Sequence, residues 1–255
     1  MLLYHNYVIL GVMIDHLTEA YHAARTRLLL LDYDGVLAPI VARPELAAPT
    51  GEILNSLRAI ATQDDTQLVV ISGRDRNTLE QWLGSLPIDM SAEHGHFYKE
   101  SGVWHSVHEA DMSWLADVDA AMRLLVDKYP GSHIESKQAS LVWHYRQAET
   151  PVDELDAKRQ IERAAHDRAI VMQGKCVVDV RAPGADKGQA VRHWYASQNW
   201  DFVLCVGDDV TDEAMFAALP ESAWTIKVGA GPTIARTTLT RQEDVQMLLR
   251  QLSGL

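Results

Sequence analysis

Cysteine occurs only twice in 255 residues, at Cys176 and Cys205, and both sit in apolar strings (Lys-Cys-Val-Val and Val-Leu-Cys-Val-Gly). Such residues read as small buried hydrophobes, which excludes a disulfide framework and suits a reducing, cytoplasmic compartment. Basic residues are also scarce: 23 Lys and Arg stand against 35 Asp and Glu, a net charge of −12 with His neutral. That balance speaks against nucleic acid and anionic membranes as partners and favours divalent cations. No apolar run reaches the ~20 residues that a membrane-spanning helix needs. The most apolar terminus, Met1 to Met13, has no Lys or Arg ahead of it and no small-residue cleavage site before Asp15 and His16. The expectation there is an extra strand or helix, not a secretion signal. The eleven histidines show no zinc spacing: His5, His16 and His22 are scattered, and His105 with His108 finds no third partner.

What is present is an alternation of buried strands and helices. Leu28–Leu31, Gln67–Ile71, Asp201–Val206 and Thr225–Val228 are apolar runs of strand length. Helical spacing follows over Glu52–Thr62, after Ser72-Gly73-Arg74 as far as Leu83, and over Thr211–Leu219. Such βα repetition predicts a wound parallel sheet, with working residues at the carboxyl ends of its strands. The middle breaks this rhythm with the order α-β-β-α-β-β: Trp114–Tyr129, His133–Ser136, Ser140–Arg146, Asp153–Arg168, Ala169–Met172 and Lys175–Val180. The fold class expected is therefore α/β, a Rossmann-like core with an inserted α+β cap. Residues 1–107 and 183–255 form the core, and 108–182 the cap.

Polar residues end three of the strands. Asp32 and Asp34 lie two apart beyond an all-Leu run, where like charges raise one another's pKa unless a cation offsets them. Mg²⁺ suits such oxygen donors; a turn cap is the alternative reading. Gly207-Asp208-Asp209-Val-Thr-Asp212-Glu213 carries four acids in six residues, more than one N-cap needs, although helix N-termini also favour acids. Ser72-Gly73-Arg74 makes a turn with a hydroxyl and free N–H groups that suits phosphate, or a simple Ser N-cap. Lys187 is either a phosphate-neutralising cation or solvated surface.

In that order the motifs resemble those of haloacid dehalogenase-type phosphohydrolases. More narrowly, the chain is similar to the trehalose-6-phosphate phosphatases over about residues 25–230. The strings that carry the resemblance are Asp-Tyr-Asp-Gly-Val-Leu-Ala-Pro-Ile (32–40), Ser-Gly-Arg (72–74), Glu-His-Gly (93–95), Glu135-Ser-Lys137, His144-Tyr-Arg146, Lys187-Gly188 and Gly-Asp-Asp-Val-Thr-Asp-Glu (207–213). The resemblance implies a Mg²⁺-dependent phosphatase that hydrolyses trehalose 6-phosphate through an aspartyl-phosphate. It implies Asp32 as nucleophile, Asp34 as general acid and base, and Ser72 and Lys187 on the phosphoryl group, joined by Gly73 and Arg74. It assigns the metal to Asp32, Asp34 and Asp208, with Asp209 and Asp212 behind them. In the cap it implies sugar contacts from Glu135, Lys137, Arg146 and Asp179, and His94 is expected to order a loop near the metal. A trehalose-6-phosphate synthase is the pathway partner it suggests.

Two positions depart from the family pattern. Val36 stands where Thr is usual, and Asp179 stands where the family has Glu, which shortens that reach by one methylene. The shorter acid leaves room for another sugar phosphate or a glycosyl-phosphoglycerate as substrate. A sugar phosphomutase with the same nucleophile is a further alternative, and a receiver-like Mg²⁺-binding module is the non-enzymatic one.

Overall fold

The structure is a computed structural model that describes residues 2–41, 43–107, 111–184 and 186–255. The chain divides into two compact units: Met1–Ser106 with Asp186–Leu255, and Val107–Ala185. His108, part of the histidine pair considered above, lies outside the described residues.

The first unit is built on an eight-stranded sheet. It contains α1 (Leu2–Ala23), β1 (Arg27–Leu31), α2 (Gly51–Ala61), β2 (Thr66–Ile71), α3 (Arg76–Leu83), β3 (Asp89–Ala92), β4 (Phe97–Glu100) and β5 (Val103–Ser106). With β10 (Phe202–Gly207), β11 (Trp224–Val228) and β12 (Thr237–Leu239) from the later chain segment, the order is β12-β11-β10-β1-β2-β3-β4-β5. All pairs from β12 to β3 are parallel, and β4 and β5 extend the sheet as antiparallel strands.

The apolar runs behave as two-sided strands. Leu28 to Leu31 are all fully buried, and the pleat sends alternate residues to opposite faces. Leu28 and Leu30 join Val69, Ile71, Trp194, Met215 and Phe216 in one core. The helices α2, α3 and α6 (Lys187–Tyr195) start on side-chain caps: Thr50 accepts from the Ile53 N–H, Asp75 from Asn77 and Thr78, and Asp186 from Gln189. Caps of this kind contribute about 1 kcal/mol each, and they fix where the loops at the strand ends give way to helix.

The second unit contains α4 (Leu115–Lys128), β6 (His133–Ser136), β7 (Ser140–His144), α5 (Glu154–Ala165), β8 (Ile170–Gly174) and β9 (Val177–Arg181), the order expected of the insertion. Its sheet runs β6-β7-β9-β8 with every pair antiparallel. Leu141, Trp143, Val178 and Val180 share a core with Val118, Met122 and Leu125 of α4 and Ala157 and Ile161 of α5. The alternate residues face away from that core and include His133, Glu135, His144 and Asp179.

The chain then returns to the first unit with α6 (Lys187–Tyr195), β10 (Phe202–Gly207), α7 (Glu213–Ala217), β11 (Trp224–Val228), β12 (Thr237–Leu239) and α8 (Gln242–Ser253). The N-terminal segment is helical and packs on α8. The helix expected over Thr211–Leu219 is shorter than its periodicity implied. A 3₁₀ turn over Val210–Asp212, locked by a capping box between Asp209 and Asp212, precedes the five residues of α7. Among the described residues, no helix is long and apolar enough to cross a membrane.

Candidate active site

β1 lies between β10 and β2 and is parallel to both, so their carboxyl ends open side by side. Ligands in open α/β sheets bind at such an edge, where connections leave in opposite directions. Asp32 follows β1, Ser72 follows β2, Asp208 follows β10, and Lys187 opens α6. Two of them are held by backbone hydrogen bonds: Asp32 N–H donates to Val206 O at 2.9 Å, and Ser72 N–H to Ser91 O at 2.9 Å.

Lys187 is the electrostatic hub. Its ammonium is buried and lies 2.8 Å from Asp32 and 2.7 Å from Asp212. Burial disfavours that cation, but the two carboxylates outweigh it and push the Lys187 pKa up. Asp212, fully buried, also accepts the Asp208 and Asp209 backbone N–H groups at 2.7 and 2.9 Å. Burial opposes its ionisation, yet Lys187 and those N–H groups prevail and hold Asp212 below its usual range. The balance tips the other way for its neighbours. Burial first, then the Asp212 charge, raises Asp32 well above the ordinary carboxylate range. Burial with Asp212 and Asp209 pushes Asp208 up to about 7. Lys227 donates to the Asp208 carbonyl oxygen at 2.6 Å.

Carboxylate oxygens of Asp32, Asp208 and Asp212 lie within 4.8 Å of one another. This set fits a hard divalent cation: the donors are oxygens only, and Asp32 and Asp208 are both raised by burial and by the Asp212 charge. Asp212, expected behind the metal ligands, is one of these three carboxylates and also holds Lys187 at 2.7 Å. The Asp34 carboxylate is paired with Arg74. Arg74 binds it through Nε at 2.8 Å and Nη2 at 2.6 Å. Asp209 is exposed and accepts the Val210 N–H.

The Ser-Gly-Arg turn is clamped from β3's end. Glu93 N–H donates to Arg74 O at 2.9 Å and His94 N–H to Ser72 O at 3.0 Å. Both residues adopt positive φ, 49° and 58°. The His94 imidazole lies against Gly73, where any Cβ would collide with the ring. His94 thus occupies the space that a Cβ at position 73 would need.

In the second unit, Glu135 and Asp179 lie in one row across the sheet, each opposite Val142. Lys137 lies 3.8 Å from Glu135. Arg146 lies beyond the other end of β7, exposed, donating to Lys175 O at 3.2 Å. Sequence reading quoted His144 without giving it a role, but its Nε2 meets Glu135 at 2.9 Å and its ring stacks on His133 at 4.9 Å. The hairpin register, which sets His133 opposite His144, is the signal that finds this cluster. Lys227 had no comparable signal, being one cation in an apolar strand.

The comparisons agree with this geometry. The model of the trehalose-phosphatase family matches residues 30–244. A bifunctional trehalose-6-phosphate synthase/phosphatase of Thermoproteus tenax is 39% identical over 244 residues, 94% of this chain and 33% of that protein. The chain spans about a third of the length of the first curated relatives it matches. Among solved structures, the C-terminal domain of Candida albicans trehalose-6-phosphate phosphatase superposes with a TM-score of 0.83 at 32% identity, covering 95% of this chain and 97% of that one. A haloacid dehalogenase-like hydrolase of B. subtilis, at 15% identity and a TM-score of 0.58 over 88% of this chain and 98% of that one, shares the fold. With the family model spanning both units and the motif residues gathered at the strand ends, this chain belongs to the trehalose-phosphatase family.

Proposed function

We propose that this chain hydrolyses trehalose 6-phosphate to trehalose and inorganic phosphate. The observation that carries the reading is the buried contact of Lys187 with Asp32, beside Asp208 and Asp212, at the strand ends of a member of this family. Asp32, Asp208 and Asp212 would hold Mg²⁺, whose charge allows a carboxylate and a phosphate to approach each other.

Asp32 attacks phosphorus through a carboxylate oxygen, and the bond from phosphorus to the sugar oxygen breaks with its electron pair staying on that oxygen. Asp34 gives its proton to the departing oxygen. A water then attacks the aspartyl-phosphate, one of its protons returns to Asp34, and Asp32 leaves as carboxylate. Ser72 Oγ, the N–H of Gly73 and the Lys187 ammonium serve the phosphoryl oxygens, where negative charge spreads in the transition state.

Recognition of the sugar falls to the polar face of the second unit's sheet. Glu135, Lys137 and Asp179 there, with Arg146, offer both donors and acceptors to hydroxyl groups. A sugar without matching hydroxyls leaves those groups unpaired, which is how polar sites discriminate. The two free cysteines fit a reducing cytoplasm, and an enzyme that makes trehalose 6-phosphate is the natural pathway partner.

The test is phosphate release from trehalose 6-phosphate, glucose 6-phosphate, sucrose 6-phosphate and a glycosyl-phosphoglycerate. Preference for the first supports the reading. Preference for another keeps the core chemistry and moves the error to Asp179 and its neighbours.

A further inference from the structure

We infer that Arg74 is a positioning residue for Asp34, holding the proton-transferring carboxylate in place instead of binding the phosphoryl group. The inference rests on the reading of Asp34 as general acid and base. The Asp34 side chain is 39% exposed, whereas that of Arg74 is 13% exposed. A carboxylate so open to water, on two rotatable bonds, has little of its own to fix it. The guanidinium supplies this with two bonds, Nε and Nη2 each to a different oxygen, at 2.8 and 2.6 Å. Such a fork sets both the position and the plane of the carboxylate.

Arg74 is fixed in its turn. Its guanidinium carbon lies 4.7 Å from the centre of the Trp82 ring and 5.4 Å from that of Tyr33. The two rings stack at 5.3 Å, and the Tyr33 hydroxyl donates to Ala47 O at 2.7 Å. The Arg74 N–H donates to Ser72 Oγ at 3.1 Å, and its carbonyl accepts the Glu93 N–H. One residue thus ties the carboxylate after β1 to the hydroxyl after β2.

The arrangement serves both proton states. As carboxylate, Asp34 uses both oxygens on Arg74. As acid, it keeps one bond through the unprotonated oxygen, and the O–H is available to the departing sugar oxygen. The proton leaves with that oxygen as the P–O bond breaks, and the second bond to Arg74 is restored. A guanidinium whose Nε and Nη2 already fork onto Asp34 cannot turn that same fork to phosphate without releasing the carboxylate.

The discriminating probe is the leaving group. A sugar alkoxide needs a proton to depart, and p-nitrophenolate does not. We compare kcat/KM, which covers all steps through leaving-group departure, for trehalose 6-phosphate and p-nitrophenyl phosphate. Arg74→Ala is expected to lower the first by about 100-fold and the second by less than about 3-fold, following the usual contribution of general acid catalysis. Arg74→Lys keeps the charge but not the fork, so it is expected to recover little, and it substitutes for Arg74→Ala should that variant fail to fold. Equal losses on both substrates, or no loss on either, overturn the inference. Asp34→Asn is measured alongside. If it shows the leaving-group signature and the Arg74 variants do not, the positioning role fails alone. If Asp34→Asn lacks the signature, the assignment of Asp34 itself fails.

Discussion

Gly35 and Asp208 meet with no room for a Cβ between them: a methyl group on Gly35 would overlap the Asp208 carboxylate. Gly35 also holds a φ of +75°, a conformation costing an alanine about 1–2 kcal/mol. The close approach follows from parallel pairing of β1 with β10, which brings the loops after both strands to one edge. Gly35→Ala is therefore expected to displace Asp208, weaken Mg²⁺ binding by at least about tenfold, and lower the melting midpoint. A tenfold loss is about 1.4 kcal/mol, well within the cost of such a shift. Calorimetric titration with Mg²⁺ and a thermal melt check it, and unchanged affinity contradicts it.

Asp32→Asn separates chemistry from folding. An amide cannot serve as the proposed nucleophile, so turnover should fall by at least about 10³-fold. Stability should hold, because the substitution removes a charge that burial disfavours, while Lys187 retains Asp212. Thermal melts alongside the assay distinguish this from simple unfolding. Turnover within tenfold of the parent removes Asp32 from the role.

The pH dependence of stability has a defined sign. The Asp208 pKa is raised to about 7, above its unfolded value near 3.9, so the folded state binds the proton more tightly. In metal-free protein, stability should fall as pH rises from about 4 to about 7, with Asp32 contributing in the same direction. Asp212, lowered instead, adds stability above its unfolded pKa that is lost in more acidic solution. Mg²⁺ offsets the repulsion, so its stabilising effect should grow between pH 5 and 8. Denaturation midpoints with EDTA and with Mg²⁺ test this, and a Mg²⁺ effect of constant size across that range contradicts it.

The second unit is expected to act on specificity. Alanine at Glu135, Lys137 or Asp179 should lower kcat/KM for trehalose 6-phosphate by about 10-fold or more, the scale of a hydrogen bond to a charged group. Hydrolysis of p-nitrophenyl phosphate should stay within about 3-fold. Equal losses on both substrates would assign these residues to stability instead.

Much of this was legible in the sequence, for physical reasons. Leu28–Leu31 and Phe202–Gly207 are buried on both faces, so an unbroken apolar run marked them as parallel strands. Asp32, Ser72 and Asp208 were legible because strand ends can be located from such runs. The three strands at the β5 end of the sheet, β3, β4 and β5, were not. Asp89–Ala92, Phe97–Glu100 and Val103–Ser106 have four residues each and mix polar with apolar side chains, too short a pattern to show a period. That Asp212 is the acid of its loop that turns toward Lys187 was not legible, because spacing within one loop does not reveal it. The Arg74–Asp34 pair spans 40 residues and depends on Trp82 and Tyr33 fixing the guanidinium, which only the packed structure shows.

The most direct measurement is phosphate release from trehalose 6-phosphate with Mg²⁺ and with an excess of chelator. Rapid release with Mg²⁺, abolished by chelator and restored by added Mg²⁺, is the predicted result. Release that survives chelation, or no release under either condition, contradicts the account.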